Sequence, residues 1–145
     1  IRSRKTEDLQ NRRKIISGSG ADVAVSIHLN SFREDPSVKG IQVFYPDTGN
    51  CDAAGFAETM QESINEYMAV EKERTAMVRE GVMIFKEITC PTVIVECGFL
   101  SNRDEAAMLQ KPEYQKRLAE AVMTGIRNFS GYKRPENVEI IDSLR

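Results

Sequence analysis

TVIVECGF, residues 92–99, is the run that decides how this chain folds. Its first four residues are all β-branched, and Cys97 and Phe99 continue the apolar character. Pro91 stands in front of it. Behind it comes SNRDEAAML, residues 101–109, where Ser101 or Asn102 can cap a helix and Asp104 and Glu105 suit its first turn. A short, nearly continuous apolar run bounded in this way reads as a strand buried on both faces. One residue breaks the pattern. Glu96 is a carboxylate inside the apolar run, and burying it ionised and unpaired costs roughly several kcal/mol.

Working outward, residues 22–28 read DVAVSIH, a second strand of the doubly buried kind, and residues 40–45 read GIQVFY, a third. Residues 29–39 between them are polar and read as a loop. Helical spacing appears in four places. Thr6, Glu7 and Asp8 look like a helix start that runs to Gly18 through Leu9, Arg12, Ile15 and Ile16. Residues 52–68 put Phe56, Met60 and Ile64 on one face. A helix follows Ser101 and Asn102. Another opens at Lys111, Pro112 and Glu113 and runs to about Phe129. Residues 69–80 are charged and read as a surface loop with some helical turns, and residues 82–85 as a short strand. The last stretch, GYKRPENVEIIDSLR, reads as a polar tail over 131–145. Strands alternating with helices give an α/β layered fold in one domain. Ligands in such sheets sit beyond the carboxyl ends of strands. His28 ends one expected strand and Glu96 lies near the end of another.

Composition narrows the function. Of 145 residues, 41% are apolar and 29% charged, which suits a solvated domain with a sizeable core. The net charge is −2, so there is no electrostatic reason to expect nucleic acid or an anionic membrane as partner. No apolar run approaches the roughly 20 residues needed to cross a bilayer. Three cysteines without a CxxC spacing argue against a disulfide framework and against a structural zinc knot. The chain opens IRSRKTEDLQ, with no initiator methionine and no signal-peptide pattern. The expectation is a chain that starts inside a longer protein.

His28 is the single histidine, in VSIHLNS, residues 25–31. A lone histidine at a strand end is most often satisfied by a backbone hydrogen bond; the alternatives are metal ligand and general base. Glu96 needs a cation, a metal-bound water or a shifted protonation equilibrium, or else a half-solvated edge position with an arginine beside it. Asn30 is a hydrogen-bond partner near such a site, or a turn residue. Arg79, in VREGVMIF, could pair a substrate carboxylate or be an exposed loop charge, and Arg74 shares that choice. Cys97 follows Glu96 directly, so the strand sends it to the other face. Together with Cys90 it reads as a small hydrophobe rather than a nucleophile. The methionines at 60, 68, 77, 83, 108 and 123 read mostly as core.

Taken together, ADVAVSIHLNS, GIQVFYP, CPTVIVECGFLSNRDEAAML and YQKRLAEAVMTGI resemble the zinc-dependent N-acetylmuramoyl-L-alanine amidases, the amidase_3 family, over residues 1 to about 130. The VECGFLSN form and the compact length are most similar to the germination-related members that act on spore cortex. The resemblance implies a single-domain three-layer sandwich with a mixed, mostly parallel sheet and helices on both faces. Residues 1–130 would be the carboxyl-terminal portion of the catalytic domain, with its N-terminal strand and helix missing from this chain. It implies Zn2+ held by a histidine, a glutamate and a second histidine. His28 matches the second histidine, and the other two ligands are expected upstream of residue 1. It implies that Glu96 is the catalytic acid/base, and that Asn30 and Arg79 lie on the substrate side. The implied reaction is hydrolysis of the amide between N-acetylmuramic acid and the L-alanine of peptidoglycan. It would take place outside the cytoplasm, in the cell wall or spore envelope of a bacterium. Zinc with one open position acidifies a bound water and polarises the amide carbonyl. The chain alone is expected to be inactive without its missing ligands. A catalytically inactive module that binds peptidoglycan or a partner is the alternative. An activating protein partner and the oligomeric state are not legible, and no nucleic acid is expected.

Overall fold

The computed structural model describes residues 2–47, 51–70 and 73–131. Residues 132–145 of the expected tail lie outside the described residues. Strand β4, Thr92–Phe99, forms where the β-branched run demands it, and every one of its residues is buried. It stands between β1, Ala24–Asn30, and β2, Gln42–Tyr45; β3, Met77–Val78, pairs beyond β2, giving the order β1-β4-β2-β3. β1 runs parallel to β4, β2 antiparallel to β4, and β3 parallel to β2. Among the described residues four helices accompany the sheet: α1, Arg2–Gly18; α2, Ala53–Met68; α3, Arg103–Met108; and α4, Pro112–Ser130. The result is an α/β sandwich with a mixed sheet and helices on both faces.

Alternation along β4 divides the core. Val93, Val95 and Cys97 face α2 and α4, packing with Val43, Phe56, Met60, Ile64 and Leu118. Ile94 faces the other way, against Ile84 and Phe85, and Ile16 of α1 packs on that smaller cluster with Phe44. Asp52 caps α2, its side chain accepting from the amide of Gly55. Asn102 caps α3, accepting from Asp104 and Glu105. Pro112 opens α4. The buried Gln61 is satisfied by backbone in and just before β2: its Oε1 accepts from the Val43 amide at 2.8 Å and its Nε2 donates to the Ile41 carbonyl at 3.2 Å.

Five expectations change. α1 already begins at Arg2, so Thr6, Glu7 and Asp8 lie inside it and not at its start. β1 is not buried on both faces; it is the last strand of the sheet, and Ile27, His28 and Leu29 are exposed. Residues 82–85 form a 3-10 turn at Met83–Phe85 rather than a strand; a four-residue apolar run does not distinguish the two. The stretch read as a loop over 69–80 contains β3. Of the methionines read as core, Met60 is fully buried but Met77, Met108 and Met123 are exposed. Among the described residues no helix is long and apolar enough to cross a membrane.

Candidate active site

The parallel pairing of β1 with β4 places His28 opposite Glu96. On β4's other side the antiparallel register places Gln42 opposite Glu96. Paired residues point to the same face of a sheet, so His28, Glu96 and Gln42 stand abreast across three strands. Just beyond them the register shifts: Asn30 pairs with Phe99, so β4 has gained one residue on β1. Gly98 absorbs the extra residue at φ +142°, a region that side-chain-bearing residues rarely adopt.

His28 is exposed, and its Nε2 lies 2.8 Å from the hydroxyl of Ser26, on the same strand face. A hollow of about 410 Å³ opens beside it, lined among others by Asp8 and Arg12 of α1, Ser26, Val82 and Ile94. Glu96, in contrast, is only 6% exposed. Its Oε1 lies 3.3 Å from Nη1 of Arg79. Its Oε2 is buried and has no hydrogen-bond partner among the described residues. An acceptor left in that state costs about 1–3 kcal/mol. Arg79 is half exposed, its guanidinium rests 4.9 Å above the centre of the Phe44 ring, and its amide donates to the Tyr45 carbonyl at 2.9 Å. The arginine expected to be a loop charge or a substrate ligand is therefore the partner of Glu96.

Asn30 sits at the end of β1. Its Oδ1 accepts from the Ser31 amide at 2.8 Å, and its carbonyl accepts from the Leu100 amide at 2.8 Å, a bond that continues the β1–β4 pairing. Arg74 donates to Gln42 Oε1 at 3.3 Å and to the Lys39 carbonyl, and lies over the Phe99 ring. Cys97 turns away into the core. Burial first, then the negative Glu96 beside it, pushes its thiol up to about 11, so it stays protonated and is no nucleophile.

Sequence reasoning missed how SNRDE supports the site. Glu105 does more than suit a helix start: its two oxygens accept from the amides of Gly40 at 2.9 Å and Phe99 at 2.7 Å. Ser101 Oγ accepts from the Phe32 amide at 2.8 Å, and Asn102 Nδ2 donates to the Pro36 carbonyl at 3.0 Å. Together they stitch the loop after His28 to the end of β4. A run of polar side chains directly behind a buried strand was the signal.

Such a sheet, with an imidazole abreast of a buried carboxylate near the carboxyl ends of parallel strands, defines an α/β domain with a polar site at its sheet edge. The family model for N-acetylmuramoyl-L-alanine amidase, Amidase_3, matches residues 1–128, and the chain belongs to that family. The germination-specific N-acetylmuramoyl-L-alanine amidase of Bacillus subtilis is 35% identical over 128 residues, covering 87% of this chain and 52% of that protein. The CwlD amidase from Clostridioides difficile, solved in complex with the GerS lipoprotein, superposes with a TM-score of 0.85 at 35% identity, over 90% of this chain and 66% of that one. The catalytic domain of CwlV from Paenibacillus polymyxa gives 0.76 at 28% identity, over 86% of this chain and 66% of that one. This chain thus spans about half the length of the Bacillus subtilis relative.

His28 is a suitable zinc donor, but it is one donor. Among the described residues no group of three or more His, Cys, Asp or Glu could hold a metal ion. Catalytic zinc takes three protein ligands. The described residues therefore do not by themselves make a zinc site.

Proposed function

We propose that this chain is the carboxyl-terminal portion, over residues 1–130, of an N-acetylmuramoyl-L-alanine amidase that hydrolyses the amide between N-acetylmuramic acid and L-alanine in peptidoglycan. The observation that carries the reading is the buried Glu96, abreast of His28 and with one oxygen unpartnered. Glu96 takes a proton from the attacking water as the new carbon–oxygen bond forms. It passes that proton to the L-alanine nitrogen as the carbon–nitrogen bond breaks. His28 would be one ligand of a zinc ion, which when bound would acidify a water and polarise the amide carbonyl. Both proton transfers belong to Glu96 itself. Asn30 lies on the substrate side, and Arg79 reaches the reaction through Glu96.

Spore cortex is the substrate class that best suits the likeness to a germination-specific relative. The protein works outside the cytoplasm, in the wall or spore envelope. A protein partner belongs to the reading because a similar amidase was solved with a lipoprotein. The second reading, an inactive module that binds peptidoglycan or a partner, is favoured by the incomplete ligand set among the described residues.

The test uses the protein as its gene encodes it, with a muramoyl-peptide substrate and elemental analysis. About one zinc per chain and release of the peptide are expected. Glu96→Gln should lower turnover roughly 10²–10⁴-fold with zinc retained, and His28→Ala should lose the zinc. Full zinc in His28→Ala rejects the ligand assignment, and full turnover in Glu96→Gln rejects the acid/base assignment. A parent protein with neither zinc nor turnover selects the binding module.

A further inference from the structure

We infer that Arg79 is the positioning residue of Glu96: it clamps Oε1 and thereby leaves Oε2 as the oxygen that handles the proton. The inference rests on the acid/base reading of Glu96 given above, and its test separates the two.

The two oxygens of this carboxylate occupy different surroundings. Oε1 meets Nη1 of Arg79 at 3.3 Å, and Oε2 is buried without a partner among the described residues. An arginine can bind a carboxylate through two parallel hydrogen bonds, which would occupy both oxygens. Here a single nitrogen makes the contact. A purely structural buried pair is stable when the remaining lone pairs are also satisfied; this one leaves an acceptor vacant at the atom a proton would need.

Arg79 is also held from behind, by contacts that do not involve Glu96. Its amide donates to the Tyr45 carbonyl at 2.9 Å, just past the β2–β3 ladder. Its guanidinium lies over Phe44, whose register partner on β4 is Ile94. Ile94 precedes Glu96 by two residues and points to the same face. The ring that carries the arginine and the strand that carries the carboxylate are thus packed together. β3 is only two residues long and both are exposed, so it adds little to the core; it does deliver Arg79. A side chain that is 46% exposed would be a weak stabiliser of the fold, but it suffices to fix the rotamer of a carboxylate that is 8% exposed.

Arg79→Met, Arg79→Lys and Glu96→Gln test this. In the protein as its gene encodes it, labelled with [13C]glutamate, the Glu96 carboxyl resonance is identified by its loss in Glu96→Gln. Arg79→Met should shift that resonance and Arg79→Lys should shift it less. In the protein as its gene encodes it, Arg79→Met should lower kcat by about tenfold or more with KM within about twofold, and Arg79→Lys should recover part of the loss. A rise in KM at unchanged kcat would make Arg79 a substrate ligand and overturn the inference. So would a resonance that does not move. Full turnover in Glu96→Gln with a resonance that does move rejects the acid/base reading while leaving the clamp itself standing. Should Arg79→Met fail to fold, Phe44→Leu removes the ring beneath the guanidinium and should show the same pattern more weakly.

Discussion

Glu96 and Cys97 are neighbours in the chain, and strand alternation sends them to opposite faces of the sheet. This much was legible in eight letters, because a period of two needs no knowledge of what packs on either side. The partner of Glu96 was not legible. It arrives on a two-residue strand inside a charged stretch, where no periodicity can build up. Asn30, weighed from the sequence as a hydrogen-bond partner or a turn residue, closes β1 with its side chain accepting from the next amide. For Cys97 the consequence is chemical. Its thiol is pushed from an ordinary 9 up to about 11, mainly by burial. Unfolded, the same thiol ionises near its ordinary value. Its contribution to stability is therefore complete below about 9 and is lost as pH rises from there to about 11. At pH 8 iodoacetamide should modify the half-buried Cys51 and leave Cys90 and Cys97 untouched, as peptide mass spectrometry will read. Labelling of Cys97 as fast as Cys51 would contradict the burial described.

The strongest elements were also the most readable. β4, α2, α4 and the Asn102 cap follow from apolar period, capping side chains and Pro112, all of which act within a few residues. The 3-10 turn and β3 were not readable, since a tertiary neighbour decides them: Ile84 and Phe85 are buried against Ile94, and β3 exists by pairing with β2. The contact between α2 and α4 shows how closely elements are matched. A Cβ added at Gly125 would lie 2.6 Å from Met60 Sδ and 3.0 Å from Met60 Cα. The sulfur can move aside but the backbone cannot. Gly125→Ala gains helix propensity, yet the forced separation of the helices should dominate, destabilising the fold by about 1–3 kcal/mol. Met123→Ala, two residues away and 45% exposed, should stay within about 1 kcal/mol. Paired urea denaturation of the two variants checks this. An unchanged midpoint for Gly125→Ala would mean that the helices separate at no cost.

At the scale of the whole molecule the sheet is finished unevenly. β4 is covered on both faces, while β1 ends the sheet with no strand on its outer side among the described residues. Ile27 is 59% exposed and Leu29 51% exposed, although both belong to a strand whose composition is that of an interior one. Beside them runs a groove of about 490 Å³ lined by Cys97, Leu109, Leu118, Val122 and Met123. An open strand edge next to apolar surface is a template for pairing with another chain. No charged side chain from β1 guards it, because AVSIHLN contains no lysine, arginine, aspartate or glutamate. The 145-residue chain should therefore self-associate in solution, with mass rising with concentration in light scattering behind size exclusion. Ile27→Lys combined with Leu29→Lys should return it to a monomer, since both side chains are already at the surface and the substitutions remove apolar area without touching the core. The protein as its gene encodes it offers a second comparison. If that protein is monomeric while the 145-residue chain associates, residues beyond these 145 cover the edge and groove. A 145-residue chain that stays monomeric at about 100 μM, far above the about 1 μM Kd that marks a moderate interface, would show that the exposed β1 edge drives no association.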